Sequence, residues 1–421
     1  MATTVLRREV EVISPTRQRG MGLVFVLLGV AIWLFFARDV DSQALTTFGL
    51  NPGGSRTTLP DWVFQSQPAL SILALICTGL GAYQLARGFR RYANWFLAAV
   101  VGMFIFGFLT WAASGQSLNL VGMLDTSLGR AVPIVLAALS GVLSERAGVV
   151  NIAIEGMMLA GAMAGTLFGS LAGSPWIGLL AGVAAGGVLG LIHGVLSIKY
   201  RTDQIISGVV INIFAGGLTA FISARFLQPF QHLNDPGIIR QWPIPLLSEL
   251  PIIGPILFSH NFFIYAMFIF LFVLQIGFFY TRWGLRYRSV GEHPKAADTL
   301  GINVFRTRYM AVVLSGMMGG FAGAYFTVGS VGRFDEFMTA GRGFIGLAAM
   351  IFGNWTPFGA FGASMLFGFA DALAAKLAIL GVPIPSSFLL MTPYVATMIV
   401  LAGVVGRGQM PAADGQPYVK E

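Results

Sequence analysis

Apolar positions along this chain gather into long runs instead of alternating with polar ones. Runs long enough to cross a bilayer core of ~30 Å recur along the whole length. They lie at 21–37 (MGLVFVLLGVAIWLFFA), 69–86, 93–113, 131–147, 150–171, 175–197, 204–225, 262–280, 309–329, 343–355, 357–378 and 385–405. The pattern predicts an all-α, polytopic membrane protein of about 12 spans. The first run follows Arg17 and Arg19, as a secretory signal would. It ends in FFARDV, with no small-x-small cleavage site, and reads as an uncleaved anchor.

Composition narrows the picture. Of the 421 residues, 56% are hydrophobic and only 10% charged, and the mean hydropathy is +0.76. Soluble domains carry about 25% charged residues, so a water-covered surface is excluded and a lipid-facing one fits. The 54 glycines suit transmembrane helices that pack closely or break. A lone cysteine, Cys77, excludes an internal disulfide and a cysteine-based metal cluster. Among 26 basic residues, eighteen fall on one side if the N-terminus starts inside and every run crosses; eight fall on the other. That bias places both termini in the cytoplasm and makes 226–261 the largest outer loop.

The chain also resembles itself. VLAALSG (135–141) is echoed by VLSGMMG (313–319), and NIAIEGMMLAGAMAG (151–165) by GFIGLAAMIFG (343–353). GVLGLIHGVLSIK (187–199) then corresponds to GASMLFGFADALAAK (362–376). By the charge count 131–147 runs inward and 309–329 outward, so the halves are opposed. Opposed repeats with interrupted helices are a recurring transporter design, since a broken helix bares backbone groups that only protein or a wet path tolerates. The expected organisation is an extension over 1–117 with about three helices and a core over 118–421. The core divides into a first repeat at 118–225, the outer loop 226–261, and a connecting helix with a basic loop at 262–308. A second repeat at 309–406 and a tail at 407–421 complete it.

Energy for uphill transport has no source in this chain. Only four lysines occur and none follows a glycine, so there is no phosphate-binding G-x-x-x-x-G-K-[ST] loop. HExxH, paired Cys/His spacing and G-x-S-x-G are likewise missing, which leaves an enzymatic reading without a chemical handle. The most basic connection, 281–308 (TRWGLRYRSVGEHPKAADTLGINVFRTR), contains a short helical stretch from Pro294 to Leu300, ended by Gly301. Two readings of it stand: a handle for an external motor, or a positive-inside anchor that happens to be helical.

At this loop the chain resembles a known family. RYRSVGEHPKAADTLGINV (286–304) is similar to the coupling loop of ABC importer permeases for nucleosides, within the wider group serving branched-chain amino acids and ribose. SERAGVVNIAIEGMMLAGA (144–162), RTDQIISGVVIN (201–212), PILFS (255–259) and FMTAGRGFIGLAAMIFGNW (337–355) extend the likeness. FGFADAL (367–373), PIPSSFLLMTPY (383–394) and the closing GQPYVKE carry it to the end of the chain. The resemblance is to the second, shorter permease of purine-nucleoside uptake systems. It implies a second homologous permease, cytoplasmic ABC ATPase subunits that carry ATP and Mg, and an extracellular substrate-binding lipoprotein. It implies no cofactor or metal in this chain, no nucleic acid, and a multi-pass place in a prokaryotic plasma membrane. Glu292, His293, Pro294, Lys295, Asp298 and Gly301 would dock on the ATPase. Residues 1–117 depart from the family pattern.

Polar groups within a bilayer cost at least ~2.5 kcal/mol for a central Asp, so each needs a reason. Asn151 and Glu155, four apart on one helix face, either face the substrate path or tie a broken helix to its neighbours. His193, Asn212 and Asp371 are path candidates for which interhelical hydrogen bonding is the competing role. Phe344 offers a face for stacking on a base. Asp203 reads as an N-cap and Arg342 as structural, a nucleoside having no charge to neutralise. The expected function is an alternating-access permease subunit of an ATP-driven nucleoside importer, without catalysis of its own. Rivals are an ion-coupled secondary transporter using Glu155 or Asp371, and an ABC permease for a sugar or branched-chain amino acid.

Overall fold

The computed structural model describes residues 15–51, 59–381 and 409–420, with isolated positions at 385, 387–388 and 391. Two compact units arise: Met1–Gly122 with Leu377–Pro383, and Met123–Lys376 with Ile384–Glu421. Among the described residues ten helices are long and apolar enough to cross a membrane.

In the first unit α1 (Pro15–Ala31) runs on through a π turn, Ile32–Ala37, and packs on α2 (Ser66–Ala86) and α3 (Ala93–Ala112). Gly22, Gly29 and Gly81 let α1 and α2 approach closely: a Cβ on Gly29 would stand 2.7 Å from the Thr78 nitrogen. The sequence pattern missed a small sheet here, β1 (Leu45–Gly49), β2 (Trp62–Gln65) and β3 (Ser117–Asn119). Its order is β2-β1-β3, antiparallel to β2 and parallel to β3, with Phe48 set against Trp62, Phe64 and Phe106.

The second unit is built on α4 (Leu120–Glu145) and α12 (Val304–Val331, its last turn π-helical). They are the most buried spans, at 83% and 78%. Tyr325 Oη donates to the Gly129 carbonyl at 2.9 Å, and Ser140 Oγ to that of Ser315 at 2.7 Å. These pairs make the two helices antiparallel, as the opposed halves require. Between them in sequence come α5 (Ile154–Ala172), α6 (Pro175–Gly194) with its π turn to Lys199, and α7 (Gln204–Ile222) with a π turn to Leu227. After a short α8 (Ile253–Phe258), α9 (Phe262–Tyr280) crosses, followed by α10 (Arg282–Glu292) and α11 (Pro294–Thr299). Beyond α12 lie α13 (Arg342–Phe352) and α14 (Pro357–Ile379).

Helices α5, α6 and α12 touch backbone to backbone. A Cβ on Gly182 would lie 2.7 Å from the Gly161 carbonyl, and one on Gly190 2.7 Å from that of Val312. Ala and Leu cannot occupy such a seam, which is why the sequence spends its glycines there. Two expectations need correction. The run 343–355 is not a full-length spanning helix: α13 has 11 residues, about 16 Å of rise against the ~30 Å required of a helix that crosses alone. The helix expected from 131 starts at Leu120. The run 385–405 lies outside the described residues.

Candidate functional site

Helix α4 ends at Glu145 and the chain turns back through Gly148, whose φ of +83° suits a residue without a side chain. Helix α5 then starts level with Gly319, about 22 Å along α12 from Val304. A helix starting at that depth leaves bare N–H groups with no water to take them. Side chains of the segment itself and of α6 and α7 supply partners to the backbone around the break. Asn212 Oδ1 accepts from Gly156 N at 2.7 Å while its Nδ2 donates to the Ile152 carbonyl at 2.8 Å. Asn151, fully buried, donates to Ser315 Oγ at 2.8 Å and accepts from Ala153 N at 3.0 Å. His193 lies between the Val150 carbonyl, 2.8 Å from Nε2, and Ser207 Oγ, 3.0 Å from Nδ1.

The second interruption is tied to the first. Helix α13 begins after Gly341, at φ +76°, and the Glu155 carboxylate sits at its N-terminus. Oε1 accepts from Thr339 Oγ1 at 2.6 Å and Gly341 N at 2.9 Å; Oε2 accepts from Gly343 N at 2.6 Å. A carboxylate at the positive end of a helix is favourable there, more so away from water. Helix α13 closes through Asn354 and Trp355, both at positive φ, and Trp355 Nε1 donates to Glu145 Oε2 at 2.6 Å. The polar atoms of Asn151, Glu155, His193 and Asn212 are thus engaged by the protein itself.

The open space lies elsewhere. A cavity of about 640 Å³ opens among α4, α9, the last turns of α12, the start of α13 and residues 238–241 and 260–261. That is within the range of small-ligand sites. Asp125, Arg130, His260, Tyr325, Asp335 and Arg342 bring polar groups to it. Arg130 and Arg342 converge on one carboxylate: Asp371 Oδ2 is 3.6 Å from Arg130 Nη1 and 3.4 Å from Arg342 Nη2. His260 Nε2 is 2.6 Å from the Ile256 carbonyl and 3.5 Å from Asp125 Oδ1. Of the six path candidates, only Asp371 bears on this cavity; Phe344 stands about half exposed on α13, away from it. Reading the helix from 131 left Arg130 in a loop, although an arginine ten residues inside an apolar helix is itself a signal.

At the other end of α12 the basic segment folds as two helices, where one was expected. Helix α11 carries the anticipated punctuation: Pro294 at its first position, His293 Nδ1 accepting from Ala296 N at 3.1 Å, and Gly301 at φ +80°. Helix α10 is the addition, anchored by buried Tyr287, whose hydroxyl donates to the Leu143 carbonyl and is held above its ordinary pKa by burial. Burial, with Arg288 nearby, lowers Arg146. Glu292 Oε2 accepts from Ala412 N at 3.2 Å and Asp298 pairs with Lys420 at 3.5 Å, so the C-terminal tail lies on this segment. Beside it a groove of about 830 Å³ is lined by Trp283, Arg286, Leu300 and Arg306.

Comparison with known proteins places this architecture. The guanosine ABC transporter permease protein NupQ of Bacillus subtilis is 42% identical over 307 residues, 71% of this chain and 96% of its own. The nucleoside ABC transporter permease protein NupC of Lactococcus lactis is 43% identical over 303 residues, 68% of this chain and 93% of its own. A more distant relative, the guanosine ABC transporter permease protein NupP of Bacillus subtilis, is 25% identical over 60% of this chain and 72% of its own. No solved structure gives a significant match. The family profile described as branched-chain amino acid transport system / permease component matches residues 123–405, and the chain belongs to that family of multi-pass transport subunits.

Proposed function

We propose that this chain is a permease subunit of an ATP-driven ABC importer for nucleosides, with purine nucleosides as the expected cargo. The observation that carries it is 42% and 43% identity, over 71% and 68% of this chain and 96% and 93% of theirs, to two permeases named for guanosine and nucleosides. NupQ and NupP from one organism, and NupC and NupB from another, support a second homologous permease as partner. ATP and Mg would reside on separate ATPase subunits at the 281–308 end. A substrate-binding lipoprotein would deliver cargo at the 226–261 end, from outside a prokaryotic plasma membrane. Both termini would be cytoplasmic.

The cavity suits a neutral, hydrogen-bonding cargo. Asp371 neutralises part of the charge of Arg130 and Arg342 while leaving guanidinium N–H groups free of it to meet hydroxyls or a base carbonyl. Movement of the ATPases, passed through α10 and α11, would tilt α12 against α4 and expose the path alternately. Proteoliposomes holding the whole complex test this: labelled guanosine should enter only with ATP and both classes of partner. Uptake that an ionophore abolishes and that needs no ATP would instead establish a secondary transporter. A second reading has support, since the putative glucose ABC transporter permease protein TsgC13 of Haloferax volcanii is 34% identical over 61% of this chain. Competition of uptake by excess glucose, and not by inosine, would favour it.

A further inference from the structure

The groove beside α10 changes character along its length. Helix α10 gives it Trp283, Leu285 and Arg286, and α12 gives it Arg306 and Met310. Arg306 stands in the first turn of α12, whereas Met310 lies about 9 Å along the span from Val304. Helix α10 sits at the same membrane border. A Cβ on Gly284 would lie 2.5 Å from Phe278 Cα, and the Trp283 ring stacks on that of Phe278, in the last turns of α9, at 5.7 Å and 10°. The buried face of α10 is Gly284, Tyr287, Val290 and Gly291; Trp283 and Leu285 turn outward, 43% and 64% exposed. A helix that shows Trp and Leu between arginines, directly after a span, has the make-up of one lying in the membrane interface.

The border end of the groove holds uncompensated positive charge. Arg286 and Arg306 are exposed, and among the described residues neither guanidinium has a hydrogen-bond, ion-pair or ring partner. The acids of this segment are already engaged by the C-terminal tail: Glu292 accepts from Ala412 N at 3.2 Å and Asp298 pairs with Lys420 at 3.5 Å. Each guanidinium therefore offers its fork of N–H donors outward, in the geometry that matches phosphate oxygens. A soluble ATPase could reach the two arginines, but not Met310 within the span. Cationic at the border and apolar along the span, the lining fits one molecule with an anionic head and a hydrocarbon tail.

We propose that this groove binds an anionic phospholipid, with Arg286 and Arg306 on the headgroup phosphate and Trp283, Leu285 and Met310 along the acyl chains. The bound lipid ties α10 to the start of α12, the two elements that flank α11. The site goes beyond the cargo reading and requires neither a nucleoside nor an ATPase.

The test titrates the purified full chain, in non-ionic detergent, with dibrominated phosphatidylglycerol or phosphatidylcholine, whose bromines quench tryptophan on contact. The quenching missing from Trp283→Phe reports the groove. Phosphatidylglycerol should reach half-effect at a concentration about thirtyfold lower, about fivefold for each arginine. Arg286→Gln and Arg306→Gln should each remove about fivefold and the double variant the whole preference, while Arg282→Gln, outside the groove, keeps it. Equal half-points for the two lipids in the parent, or a preference that survives the double variant, overturn the proposal. Inorganic phosphate, against chloride at equal ionic strength, should not relieve the quenching; relief would make the groove a free-anion site and overturn it. In the assembled complex the quenching should persist, and its loss there would give the groove to the ATPase and overturn the proposal. Native mass spectrometry gives a readout without Trp283: the parent should retain one more phosphatidylglycerol than the double variant, and equal counts overturn the proposal.

Discussion

Glu155 is the residue on which the two readings of the interrupted helices divide. Its carboxylate receives two backbone N–H groups and one hydroxyl at the head of α13. Removing it strands those donors in a setting with little water, and an N-cap lost under such conditions costs about 2 kcal/mol. Glu155→Ala should therefore lower the thermal midpoint in detergent. Glu155→Gln, which keeps one accepting oxygen, should lower it less. Tryptophan fluorescence on the purified protein reads both. A carboxylate serving mainly the cargo path would behave differently: both variants would keep the parent midpoint and lose only uptake.

Elements fail or succeed by packing, and the glycine seam shows where. A methyl on Gly186 would meet the Gly316 carbonyl and Gly320, and neither backbone can retreat without separating α6 from α12. Gly186→Ala should destabilise by about 1–3 kcal/mol, as overpacking does. Gly217→Ala, on α7 with nothing within 4 Å, should be neutral or stabilising by about 0.5–1 kcal/mol. Denaturation of the two variants side by side separates close packing from mere helix propensity. Pro294 and Gly301 made α11 legible because helix punctuation is local. Helix α13 was misjudged as a full-length span because its apolar run continues to Trp355, while the turn that ends it uses Asn354 and Trp355 at φ of +55° and +52°. No propensity signals that turn. The polar residues at the broken helices were visible as polar letters in apolar runs, but their partners were not. Glu155 and Thr339 are 184 residues apart, and one sequence carries no trace of such a pairing. For the same reason the cavity's two arginines and Asp371 came together only in the fold.

For the whole molecule the decisive quantity is sidedness. Helices α4 and α12 run antiparallel, so 281–308 and the tail share one end of the second unit. The Asn261 Nδ2 contact to the Gly329 carbonyl, at 2.6 Å, ties the long loop to the opposite one. If the basic segment meets a cytoplasmic motor, these ends must face opposite sides of the membrane, with Leu300 inside and Leu246 outside. The chain's lone cysteine, Cys77, is buried, so a Cys77→Ser background leaves no native thiol. Leu300 and Leu246 are each 81% exposed, which makes a cysteine at either an open target. A membrane-impermeant maleimide on intact cells should label Leu246→Cys and spare Leu300→Cys until the membrane is permeabilised. The reverse pattern would put Arg282, Arg286, Arg288 and Arg306 outside, against the positive-inside bias. It would also remove any route by which a nucleotide-driven subunit reaches α11. Labelling of both in intact cells would mean mixed insertion, in which the molecules with Leu300 outside could not meet a cytoplasmic motor through α11.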